Sequence, residues 1–193
     1  MTAITLDLRP LIDLTPLQFY QLCRNNPDIK LERNAKGHLI VISPTGGNTG
    51  RRNSKITYQL EAWVEENPAL GIAFDSSTEF NLPNGGDRSP DAAWVKMERW
   101  EALTEEEQDT FPPISPDFVI KLRSRTDNLK ELQNKMQEYL DSGLRLGWLI
   151  DPKNQRVEIY RSGRPVEVLQ SPTTVSGEDV LPGFVLDLSE IWA

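Results

Sequence analysis

At 193 residues, with 38% hydrophobic and 26% charged side chains, the chain has the size and composition of a single soluble globular domain, neither disordered nor fibrous. Its net charge of −8 argues against holding nucleic acid by bulk charge, while leaving room for a local basic cleft. One cysteine, Cys23, and one histidine, His38, exclude an intrachain disulfide, a cysteine metal cluster, a His-rich zinc site and two-histidine motifs. No apolar run reaches the roughly 18 residues of a membrane helix. The N-terminal MTAITLDLRP lacks a signal peptide's basic start and apolar centre, so a cytoplasmic protein is expected.

In chain order, Thr15-Pro16 reads as an N-cap and first helical residue, opening a helix to about Arg24 with Cys23 as a buried, inert thiol. IKLERNAKGHLIVIS holds two strand-like segments about a turn at Asn34–Gly37, and His38, opening the second, is expected to be structural. SPTGGNTGRRN is a glycine-rich loop that lacks the Walker spacing. It connects a strand to a helix, with Asn48 or Thr49 as cap. Arg51, Arg52 and Lys55 near that helix start are candidates to touch nucleic-acid phosphate. Ile56, Leu60, Trp63 and Val64 recur at helical spacing as far as Pro68.

GIAFDSSTEFNLP and PDAAWV read as strands separated by Asn84-Gly85-Gly86, and the acidic MERWEALTEEEQD as a solvated helical connector. DFVIKLRS is the next strand. Alternation sends Phe118, Ile120 and Leu122 to the core and Asp117, Val119, Lys121 and Arg123 to a charged opposite face. A charged face on an α/β strand points to a cleft or to internal charge pairing. NLKELQNKMQEYLDSG carries the stripe Leu129, Leu132, Met136, Leu140, with Gly143 placed to end the helix. Tyr139 is expected in the core, and Lys135 flanks the stripe. LGWLIDP, RVEIY, PVEVLQ and FVLDL complete a strand-rich end. The sum is a single α/β domain, residues 1–193, with a mixed central sheet.

The stretch RSPDAAWV … PPISPDFVIKLRSRTDNLKELQNKMQEYLDSGLRLGWLIDP, with LIVISPTGGNTGRRN before it and LPGF after it, resembles the Uma-two family of restriction-endonuclease-like bacterial proteins, within the PD-(D/E)XK nuclease superfamily. That resemblance implies a restriction-endonuclease-like fold, a mixed sheet flanked by helices. It implies a metal-dependent endonuclease: two carboxylates hold Mg2+ or Mn2+, which polarises a DNA phosphate and helps generate hydroxide, while a nearby cation stabilises the transition state. It also suggests a homodimer. By position the first carboxylate is Asp91; the second would stand at 121, where relatives carry glutamate and this chain has Lys121. Arg123 takes the place of the usual lysine, and Lys135 is a migrated candidate for it.

A +2 ion roughly 5 Å from an ammonium, at an effective dielectric of about 20, is disfavoured by about 6–7 kcal/mol. Three arrangements therefore stand open. Lys121 pairs with Asp91 in a catalytically inactive module that binds nucleic acid or a protein; Glu79 or Asp117 supplies the missing metal ligand; or Lys121 bends away and a metal binds weakly through Asp91 and backbone carbonyls.

Overall fold

The computed structural model describes residues 3–193. The chain runs β1 (Ala3–Leu6), α1 (Pro16–Asn25), β2 (Lys30–Arg33), β3 (Leu39–Ile42), α2 (Gly47–Glu66), β4 (Gly71–Asp75), β5 (Phe80–Asn81), β6 (Asp87–Arg88) and β7 (Ala92–Lys96). Then come α3 (Met97–Glu101), α4 (Glu105–Asp109), β8 (Phe118–Leu122), α5 (Leu129–Asp141), β9 (Leu146–Asp151), β10 (Arg156–Arg161), β11 (Glu167–Gln170), β12 (Thr174–Ser176), β13 (Val185–Asp187) and α6 (Ser189–Trp192). One sheet has the order β11-β10-β9-β8-β7-β4, the second β1-β3-β2-β6-β5, and β12 pairs with β13 alone. The first sheet is mixed: β8 and β9 are parallel, the other pairs antiparallel. The expected α/β architecture, a mixed sheet flanked by helices, is what the chain adopts.

The six-stranded sheet is covered on both faces. On one, Ile56, Leu60 and Trp63 of α2 join Phe118, Ile120 and Leu122 of β8 and Trp148 of β9. Phe184, from the C-terminal segment, stacks on Trp148 with centroids 5.9 Å apart and planes at 12°. On the other face, Leu132, Met136 and Tyr139 of α5 cover Val119 and Leu149. Gly147 lets α5 approach this closely: a Cβ there would lie 2.5 Å from the Met136 methyl.

Local signals explain the element ends. Thr15 caps α1 in a reciprocal box with Gln18; Gly37, at φ +80°, turns the β2–β3 hairpin; Gly143, at φ +104°, follows α5. Helix α2 departs from expectation, starting at Gly47 with Gly46 as N-cap rather than at Arg51 with Asn48 or Thr49. Glycine costs about 1 kcal/mol per residue in a helix interior relative to alanine, but the packed Ile56–Leu60–Trp63 face pulls the helix back through the loop. Strand β1 gave no sequence signal, being four exposed residues held only by pairing with β3. The charged face expected on β8 is not solvated, since Asp117 and Lys121 are both buried.

Because Phe184 touches Trp148, Trp63 and Phe118, Phe184→Ala is expected to lower unfolding stability by about 3–5 kcal/mol in urea titration. A loss below about 1 kcal/mol would show that the C-terminal segment is not part of this core.

Candidate active site

Antiparallel pairing of β7 with β8 puts Ala92 opposite Ile120, so the residue just before β7 lies beside the end of β8. That residue is Asp91. Its N–H donates to Ile120 O at 2.9 Å, and its Oδ2 accepts from the Leu122 N–H at 2.7 Å. The same oxygen lies 3.1 Å from Lys121 Nζ, with 8% and 9% of the two side chains exposed. Lys121 also donates to Ser89 O at 3.2 Å.

Facing this pair across a cavity of about 320 Å³ is Glu32 of β2. Lys135 of α5 donates to Glu32 Oε2 at 2.6 Å and Arg88 of β6 donates to it at 2.9 Å. Arg88 bonds Glu138 as well, at 2.5 Å. The cavity thus lies between the small sheet and the α5 face of the large one. Every charge named on its wall has a partner of opposite sign. Burial by itself would raise the Glu32 carboxyl, but Lys135, Arg88 and Lys121 hold it down at about 2. Desolvation lowers Lys135 against the pull of Glu32.

The predicted residues separate into groups. Asp91, Lys121 and Lys135 line the cavity together. Arg123 does not join them. It leaves the end of β8 to pair with Asp151 at 2.6 Å and lines a different cleft, where the strand's alternation no longer applies. Asp117 is held by Arg99 at 2.9 Å and by the Lys96 N–H. Glu79 lies before β5, off the strand that neighbours Asp91, buried and with Oε1 lacking a partner. Burial, with Glu32 and Asp87 nearby, pushes its carboxyl up to about 9. Arg51 donates to the Glu190 and Ala193 carbonyls, Arg52 to those of Ile191 and Ala193, and Lys55 pairs with Glu190 at 2.6 Å. These three hold the C-terminal helix, and Arg52 alone of them lines the Arg123 cleft.

Outside the site, Cys23 is half-buried, its thiol pushed up to about 12 by burial, and His38 contacts Asp7 and Arg9.

Glu32, Arg88 and Glu138 escaped the sequence reading. Glu32 sits in a short hairpin strand that reads as exposed, whereas Glu138, three residues after Lys135, was legible as its neighbour on one helix face.

A divalent ion needs carboxylate oxygens with free lone pairs. Asp91 Oδ2 and Glu32 Oε2 each already accept two donors, one of them an ammonium. Among the described residues no three His, Cys, Asp or Glu side chains converge to hold a metal. As they stand, the residues do not fit a divalent ion.

Residues 16–189 match the Uma2 family, described as "Putative restriction endonuclease". The chain belongs to this family. Its fold is similar to that in a crystal structure of "a putative nuclease belonging to DUF820" from Anabaena variabilis ATCC 29413, with a TM-score of 0.77 and 21% identity over 93% of this chain and 97% of that one. None of the curated proteins matches. No helix among the described residues is long and apolar enough to cross a membrane.

Glu79 keeps its proton in the folded state up to about pH 9 and in the unfolded chain only to about pH 4.3. Its contribution is therefore complete below the lower value and is lost as pH rises toward the upper one, by at most about 1.4 kcal/mol per pH unit. Glu79→Gln, which cannot ionise, is expected to match wild type at pH 4 and to exceed it in melting temperature at pH 8. Parallel melting curves across that range would contradict the buried neutral acid.

Proposed function

We propose that this protein is a nuclease-fold DNA-binding module in which the metal-dependent hydrolytic step of its family is impaired, because Lys121 occupies the position of the second metal-binding carboxylate. The observation that carries this reading is the buried Lys121–Asp91 pair, 3.1 Å apart. In the reaction that the family description implies, Mg2+ or Mn2+ would supply Lewis-acid activation of a phosphodiester and of water. The residues present do other work. Lys121 satisfies Asp91; Lys135 and Arg88 satisfy Glu32. The cavity offers no free carboxylate pair to attract a cation or to accept a proton from water. What it retains is ammonium and guanidinium donors at fixed positions, a setting for phosphate oxygens.

Replacing the ammonium by a carboxylate removes a repulsion of about 6–7 kcal/mol toward a divalent ion, of which even a fifth is tenfold in affinity. In a supercoiled-plasmid nicking assay with Mg2+ or Mn2+, wild type and Asp91→Ala are expected to be inert and Lys121→Glu to nick. Calorimetry should show Lys121→Glu binding Mn2+ at least about tenfold more tightly than wild type. Metal-dependent nicking by wild type that disappears in Asp91→Ala would overturn the proposal. A folded Lys121→Glu that gains neither activity nor Mn2+ affinity would show that position 121 is not where the metal function was lost.

A further inference from the structure

A second cavity is larger than the one containing Asp91. A cleft of about 800 Å³ opens at the same end of β8, lined by the Ser43–Thr49 loop, Arg52, the Arg123–Thr126 segment, Pro152 and Lys153. Four of its side chains are cationic and none is a carboxylate, on a chain whose net charge is −8. Arg123 is neutralised by Asp151, and Arg52 spends its donors on carbonyl oxygens. Arg125 and Lys153 are exposed, and among the described residues their side chains make no hydrogen bond or ion pair. The cleft therefore has uncompensated positive charge, whereas in the Asp91 cavity Lys121, Lys135 and Arg88 are each paired with a carboxylate.

Its remaining lining is matched to the same kind of ligand. Thr45 and Thr49 supply hydroxyls. The loop leads into the first turn of the 20-residue α2, whose N-cap Gly46 has no side chain to cap it. Added Cβ atoms at Gly46 and Gly47 would meet nothing within 4 Å, so the backbone is open to close approach.

The two cavities share a wall. Along β8 and its exit, Leu122 lines the Asp91 cavity, Arg123–Thr126 line the cleft, and Asp127 and Asn128 line the Asp91 cavity again. The end of β3 repeats the pattern, with Ile42 on one side and Ser43 on the other. Among the described residues, the 123–126 segment separates the cleft from the cavity that holds Lys121 and Lys135.

We propose that this cleft is the phosphate-backbone binding site for a nucleic-acid strand, with Arg125 and Lys153 as its principal contacts. The inference rests on the DNA-binding reading above and locates it beyond the end of β8, across the 123–126 segment from the Asp91 cavity. A strand is favoured over a small anion because a second donor-lined cavity lies directly across the 123–126 segment, where a following phosphate could be held.

The test is fluorescence anisotropy of a short labelled duplex and of the matching single strand across a salt series, with inorganic tripolyphosphate as competitor. Wild type is compared with Arg125→Glu/Lys153→Glu, with Arg125→Ala/Lys153→Ala, and with Lys135→Gln as a variant of the other cavity. Both positions are exposed, so unchanged melting curves verify folding. The glutamate pair is expected to weaken binding at least about tenfold, and the alanine pair to reduce the slope of log K against log salt by about 1.8 on duplex and about 1.4 on single strand. Wild-type affinity and slope in both paired variants, with loss in Lys135→Gln, would overturn the cleft assignment while leaving DNA binding intact. Binding of neither DNA form by wild type would overturn the cleft assignment and the DNA-binding reading together. Tripolyphosphate binding without DNA binding would reassign the cleft to a small phosphate ligand. The nicking and Mn2+ measurements on Lys121→Glu are read separately, so loss of the metal step and use of the cleft stand or fall independently.

Discussion

The interaction on which the rest of this structure depends is the one made by Lys121. Its strand, β8, has neighbours on both sides and is packed on both faces, so a lysine there is carried into the interior. Even after relaxation, desolvating an ammonium costs several kcal/mol, recovered only through a close counter-charge and hydrogen bonds. Asp91 and the Ser89 carbonyl supply both. The segment leading into β7 is thereby tied to β8 by a side-chain bond as well as by its ladder. The same rule propagates outward. Glu32, buried at the seam of the two sheets, requires Arg88 and Lys135; Arg88 in turn takes Glu138, and Asp87 takes Arg33. Between the small sheet and α5 the protein is joined by paired charges as much as by apolar contact.

That network and a metal centre are competing uses of the same carboxylates. A divalent ion draws negative oxygens together and tolerates no ammonium at contact distance; an ion-pair network distributes cations among those oxygens. With Asp91 Oδ2 and Glu32 Oε2 each already accepting two donors, a metal that took either oxygen would displace a cation from its partner, and leaving a buried charge unpaired costs about 3–5 kcal/mol. Lys121 thus does more than withhold a carboxylate from position 121: its own charge occupies Asp91.

The fold was largely legible because its signals are local. The capping box at Thr15, the turn before His38, the apolar stripe of α5 and the alternation of β8 each depend on neighbours within a few residues. Asp91, Lys121 and Lys135 were legible through the family pattern, and they converge. The rest of the site was not, because nothing local marks a buried charge. Glu32 finds Lys135 across 103 positions and Arg88 across 56, and a lone glutamate in a four-residue hairpin strand looks solvated. Arg123 illustrates the reverse error. Period-two alternation assigns it to the face of Lys121, but β8 ends at Leu122, and past the end of a strand its periodicity no longer directs side chains. Arg51, Arg52 and Lys55 looked available because their partners, main-chain carbonyls for the arginines and the Glu190 carboxylate for Lys55, lie at the far end of the chain.

Net charge was a poor guide for a related reason. At physiological ionic strength, exposed charges act over about 8 Å, so what a ligand meets is the local balance of a cavity and not the sum over the chain. The two cavities at the end of β8 differ in this respect. In the Asp91 cavity Lys121, Lys135 and Arg88 are matched to carboxylates within 2.5 to 3.1 Å, and such pairs present oriented donors with little outward field. The cleft beyond Arg123 holds fewer charges, but Arg125 and Lys153 are uncompensated, and uncompensated charge both attracts a polyanion and gives its binding a salt dependence. On the proposed reading, a strand would be captured by field in the cleft and oriented by fixed donors in the Asp91 cavity. Lys121 and Asp91 do not line the cleft, so the charge that captures the strand does not depend on them.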